Sequence, residues 1–155
     1  MKYFYLLLLL ACQSCFLFPK FRKDQINFTE NGLQKNYRVV VPKGYNQKEK
    51  ITGATGNQEI YYHYPGGAVL YFAHVTDTAY QYQPINYQVN MPKELYHALF
   101  YKGIDSTYSY YWRENRVGDY KIGYIKAAAG DEWRFDSALN YFSLRIPPDS
   151  IQLSK

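Results

Sequence analysis

Two cysteines stand in a chain of 155 residues, too few for a disulfide framework or a cysteine-built zinc site. Three histidines, His63, His74 and His97, show neither HxH nor HxxxH spacing. No GxSxG, P-loop or GxGxxG is present, and Gly53-Ala54-Thr55-Gly56 lacks the lysine and the length of a phosphate loop. No apolar run is long enough for a polytopic membrane protein, and no repeat or low-complexity tract appears. These gaps remove the metal, nucleotide and nucleophile chemistries that announce themselves by spacing, so no cofactor is expected.

The chain does have 47% hydrophobic residues, enough for a packed core, and 19 tyrosines. The formal charge of +5 is spread along the chain, which predicts no nucleic-acid partner. At the N-terminus Lys2 precedes an apolar run from Tyr3 to Ala11, a length that suits a secretory signal better than a membrane span. The run ends in Leu9-Leu10-Ala11-Cys12, with a small residue just before the cysteine and an aliphatic one three before it.

This junction resembles the lipobox of bacterial lipoproteins. The resemblance covers about the first 12 residues. It implies that residues 1–11 are a removable signal peptide and that Cys12 carries diacylglycerol as the first mature residue. It places the chain in the bacterial cell envelope as a membrane-anchored lipoprotein, on the periplasmic side or at the outer membrane. The partner implied is the lipid bilayer, through acylated Cys12. Buried acyl chains at about 0.8 kcal/mol per methylene hold such an anchor without a spanning helix. An uncleaved anchor over Tyr3 to Phe18 is the other reading of the same run. Cys15 is left without an intramolecular partner.

Residues 12–35 read as a lipid-anchored tether, with basic Lys20, Arg22 and Lys23 suited to anionic head groups and a turn at Asn31-Gly32. Residues 36–155 read as one α+β domain, mainly an antiparallel sheet of about five strands with one or two helices packed on it. Tyr37 to Val41 alternates as a strand before Pro42, and Lys43 to Gln58 reads as a loop. Ile60 to Tyr64 and Val69 to Thr76 form a hairpin around Pro65-Gly66-Gly67. The second strand is apolar on both faces and therefore central. Pro92 with Leu95, Ala98 and Leu99 predicts a short helix. Thr107 to Arg113 and Tyr120 to Lys126 pair through a turn at Asn115 to Gly118. Asp136 is the expected cap of a last helix with an Ala138, Leu139, Phe142 stripe, closed by Pro147-Pro148. A strand ending in Val41-Pro42-Lys43-Gly44-Tyr45 and the final helix are loosely similar to small Mog1/PsbP-like α+β domains, a likeness that implies a fold and no activity.

Two function classes follow. Tyr80, Tyr82 and Tyr87 lie among glutamines and Pro84, a composition poor for a core and good for an interface. They are the expected surface of a non-enzymatic accessory or binding module for an envelope protein or polysaccharide. Tyr108, Tyr110 and Tyr120 are expected to fill the sheet instead. The alternative is an envelope hydrolase using Asp131, Glu132 and Asp136, whose plainer role is to complement a helix N-terminus.

Overall fold

The computed structural model describes residues 20–76, 93–95 and 98–144. Among the described residues nine strands and one α-helix follow in order: β1 (Phe21–Glu30), β2 (Leu33–Pro42), β3 (Gln47–Thr52), β4 (Gln58–His63), β5 (Val69–His74), β6 (Lys93–Leu95), β7 (Ala98–Asp105), β8 (Tyr110–Val117), β9 (Tyr120–Ala127) and α1 (Glu132–Ser143), with a single 3-10 turn at Pro65–Gly67. β1 and β2 form a separate hairpin. The other seven form one sheet in the order β3-β4-β5-β9-β8-β7-β6, every neighbouring pair antiparallel. The expected small α+β class with a mainly antiparallel sheet is what the described residues form. Among them no helix is long and apolar enough to cross a membrane.

Alternation decides the core. Ile60 and Tyr62 of β4, Leu70 and Phe72 of β5, and Tyr120, Ile122 and Tyr124 of β9 turn to one face of the sheet and are buried. The β1–β2 hairpin and α1 cover that face. The hairpin brings Ile26, Phe28, Val39 and Val41, and the helix brings Phe135, Ala138, Leu139 and Phe142 at positions one helical stripe apart. Burying each of the larger apolar side chains contributes about 1.5–3 kcal/mol. β5 sits third of seven strands, so its two apolar faces do mark a central strand.

Several expectations change. β1 lies wholly inside the stretch 12–35 read as tether, yet it packs Ile26 and Phe28 into the core, so the described fold includes residues before 36. Asn31-Gly32 is the turn within the hairpin, both residues left-handed at φ 50° and 76°, as a two-residue loop between right-twisted strands requires. Lys43 to Gln58 contains β3, an edge strand of mostly exposed, polar side chains, held by backbone pairing to β4 and by Lys48 and Lys50 reaching Asp24 and Asn27 of β1. The short helix after Pro92 is replaced by the β6–β7 hairpin, with Leu95 paired to Ala98; the β-formers Phe100, Tyr101 and Ile104 outweigh the i, i+4 leucines. Thr107 to Ser109 form a turn rather than strand, closed by Ser109 N–H to the Asp105 carbonyl at 2.8 Å. β8 runs on through Asn115 to Val117, because the buried Asn115 amide finds Ser143 Oγ at 3.0 Å. Pro147 and Pro148 lie outside the described residues.

Candidate functional site

One end of the molecule collects cations and rings. The Lys43 N–H donates to the Lys20 carbonyl at 2.9 Å, which carries the β1–β2 pairing one step past the strand ends and sets Lys20 beside Lys43. The Lys20 ammonium lies 4.7 Å from the centre of the Trp133 ring, and Phe21 meets the same ring edge-on at 6.1 Å. The Arg22 guanidinium stands 5.6 Å over Tyr45. Trp133 is 42% exposed, whereas Phe135, Leu139 and Phe142 of the same helix are buried. Arg134 donates to the Lys43 carbonyl at 2.9 Å and pairs with Asp131 at 3.2 Å.

Beside this patch a cleft of about 360 Å³ opens between the β4–β5 turn, the end of β9 and the first turn of α1. Tyr64, Tyr110 and Phe135 give it an aromatic lining, and Lys43, Lys126, Arg134 and Asp131 are its charged residues, three positive groups and one negative. Tyr64 and Phe135 pack edge to face at 5.1 Å. Burial pushes the Tyr64 phenol well above its ordinary pKa, so it stays neutral and donates to the Pro42 carbonyl at 3.0 Å. Gly66 and Gly67, at φ 82° and 84°, let the turn fold back along the cleft wall. Such a lining suits an anionic or strongly polar group attached to an apolar or planar body.

Elsewhere the polar groups are engaged internally. Buried Arg113 donates to Asn115 Oδ1 at 3.0 Å, Asp136 Oδ1 at 2.9 Å and Asn140 Oδ1 at 2.8 Å. Tyr124 adds a bond to Asp136 at 3.1 Å; burial first, and the carboxylate second, raise its pKa. A second cluster joins Glu30, Tyr37 and Tyr120, with Tyr37 donating to Glu30 at 2.9 Å and Tyr120 donating to the same oxygen. Burial alone would raise the Glu30 carboxyl. Lys35 and the two phenols outweigh it and hold the group below its ordinary value. The His74 ring stands 5.3 Å from Tyr120 in the same layer.

Of the acidic residues singled out from the sequence, Glu132 and Asp136 lie one helical turn apart and both act on the Tyr124 phenol, whereas Asp131 stands away from them. Asp131, 54% exposed at its side chain, pairs with Arg134, while Asp136 pairs with Arg113 beneath the helix. Asp136 is not the cap: it lies inside α1, the N-cap position falls to Asp131, and no side chain caps the helix. The pull of the buried Arg113 on Asp136 was invisible in a local pattern. His63 contacts Glu49 at 3.3 Å and lies opposite Val69, while His74 lies opposite Gln58, so the two histidines occupy opposite ends of their hairpin. Among the described residues no group of histidine, cysteine and acidic side chains is placed to hold a metal. Tyr120 fills the core as expected, but Tyr108 is 69% exposed on its turn and stacks on Tyr110 at 6.2 Å. Cys12, Tyr80, Tyr82, Tyr87 and His97 lie outside the described residues.

Sequence reasoning missed Trp133, Arg134, Lys43 and Tyr64 as a group. One signal was available: Trp133-Arg134 falls off the apolar stripe of α1, so its bulk had to face outward. No protein family matches this chain, and neither curated proteins nor solved structures give a match.

Proposed function

We propose that this chain is a lipoprotein of the bacterial cell envelope, held by acylated Cys12, and that its folded domain acts by binding rather than by catalysis. The observation that carries the anchoring is the Leu9-Leu10-Ala11-Cys12 junction after a short apolar run. The first described strand, β1, starts at Phe21, with eight residues between it and the cysteine. The binding part of the proposal draws support from the cleft, where Tyr64, Tyr110 and Phe135 offer apolar area beside three cations. Of the carboxylates that a hydrolase would use, Asp131 and Asp136 are held by separate arginines, while Glu132 keeps a buried oxygen without a hydrogen-bond partner. Tyr80, Tyr82 and Tyr87 belong to the same proposal as a second contact surface, for an envelope protein or polysaccharide.

The test is fatty-acid labelling in a bacterial host. Wild type is expected to incorporate label and to be processed, and Cys12→Ser to do neither. Label retained by Cys12→Ser with normal processing would overturn the assignment.

A further inference from the structure

We infer that the end of the domain bearing Trp133 docks on an anionic phospholipid surface. Trp133 and Phe21 then sit at head-group level, with Lys20, Arg22, Lys43 and Arg134 against the lipid phosphates. The inference rests on the anchoring proposed above and adds an orientation and a lipid chemistry to it.

Reach supplies the first argument. Eight residues separate Cys12 from Phe21, and even fully extended they span less than about 30 Å. That is comparable to the length of β1 itself, ten residues at about 3.3 Å each. A chain tied at Cys12 therefore keeps the start of β1 near the bilayer, and the patch is built around that start. Lys20 is joined to Lys43 by a backbone bond, and Phe21 and Lys20 both rest on Trp133.

Charge and shape supply the second. Exposed Lys20 lies over the Trp133 ring, exposed Lys43 is joined to it through the backbone, exposed Arg22 stands over Tyr45, and Arg134 and Lys126 line the neighbouring cleft. The acidic groups on the same segments are Asp24, paired with Lys48, Asp131, paired with Arg134, and Glu132. An indole with an apolar body and one polar N–H is the side chain most at home between hydrocarbon and water. Long basic side chains let their stems lie on apolar surface while the charge reaches phosphate. Anionic lipid is thus the occupant that satisfies both the ring and the excess charge.

The full chain reconstituted into vesicles provides the test. It has two tryptophans, so Trp112→Phe leaves Trp133 as the only indole. In vesicles containing phosphatidylglycerol, Trp133 emission should shift to the blue and be quenched by brominated lipid. In phosphatidylcholine alone it should remain open to acrylamide. Each of Lys20→Gln and Arg134→Gln should weaken the docked population about five-fold. Should Trp112→Phe fold poorly, Trp133→Phe in the native background gives the complementary reading, loss of the lipid-quenched component. Acrylamide access to Trp133 that is equal in both vesicle types, with no quenching from lipid, overturns the inference. The mass of the N-terminal peptide from the same sample reports on the anchor separately. A lipidated chain with an open Trp133 sinks the docking alone, and an unlipidated chain with a lipid-quenched Trp133 sinks the anchor alone.

Discussion

Arg113 reaches α1 from β8, and Arg134 projects from the first turns of α1 itself. The Arg113 side chain is 7% exposed, and its Nε and both terminal nitrogens each donate to a different side chain on β8 or α1. The Arg134 side chain is 25% exposed; it meets a well-exposed Asp131 and one backbone carbonyl, and its surroundings carry further positive charge. A guanidinium enclosed by a carboxylate and two amides works as a clamp between helix and sheet. One held at the rim among other cations leaves its field directed outward, where a negatively charged surface can use it. The same residue type thus marks the interior support at one place and the contact surface at another, and burial with partner count tells them apart.

The contrast breaks most plainly under truncation. Arg113→Ala strands Asn115 and Asn140 and uncouples Asp136, and is expected to cost about 3 kcal/mol by analogy with other broken buried pairs. Arg134→Ala should cost less than about 1 kcal/mol, as exposed pairs do. Chemical denaturation midpoints compare the two directly, and equal losses would remove the distinction.

Crowding around Arg113 sharpens the same comparison. A Cβ on Gly123 would run into the Tyr71 phenol and lie 2.6 Å from the Arg113 carbonyl oxygen, a backbone atom that cannot step aside. Gly123→Ala should therefore destabilise by about 1–3 kcal/mol. Gly67→Ala, at the rim of the cleft, meets nothing nearer than Lys126 Cδ at 3.9 Å. It should lose only the cost of forcing alanine into a left-handed conformation, about 1–2 kcal/mol. Thermal melts of the two variants check the order.

The Glu30 cluster predicts a smaller, pH-dependent difference. The folded carboxyl titrates below its ordinary value of 4.5 because Lys35, Tyr120 and Tyr37 outweigh burial. A depressed value means that this stabilisation is complete above the unfolded pKa and disappears as pH falls through the folded one. Wild type should accordingly lose stability below about pH 4.5 more steeply than Glu30→Gln. Parallel acid profiles for the two would show that Glu30 does not carry the effect.

What could be read in advance follows from how local the cause is. The Val69 to His74 strand, the Pro65-Gly66-Gly67 turn and the Ala138, Leu139, Phe142 stripe announce themselves because the apolar period and the turn residues lie within a few positions. β1 did not, because Lys23, Asp24, Gln25 and Asn27 surround its buried Ile26 and Phe28, and its Glu30 is buried through partners on β2 and β9. β3 has almost no apolar side to detect. The Arg113–Asp136 pair spans 23 positions, and the basic end joins Lys20, Lys43 and Arg134 from three distant segments. Neither pattern has a local period, so only the folded chain brings them together.

The intact mass of the protein recovered from a bacterial envelope tests the anchor most directly. The predicted chain lacks residues 1–11 and carries the added mass of diacylglycerol on Cys12. A chain that retains Met1 to Ala11, or begins elsewhere with an unmodified Cys12 thiol, would contradict it.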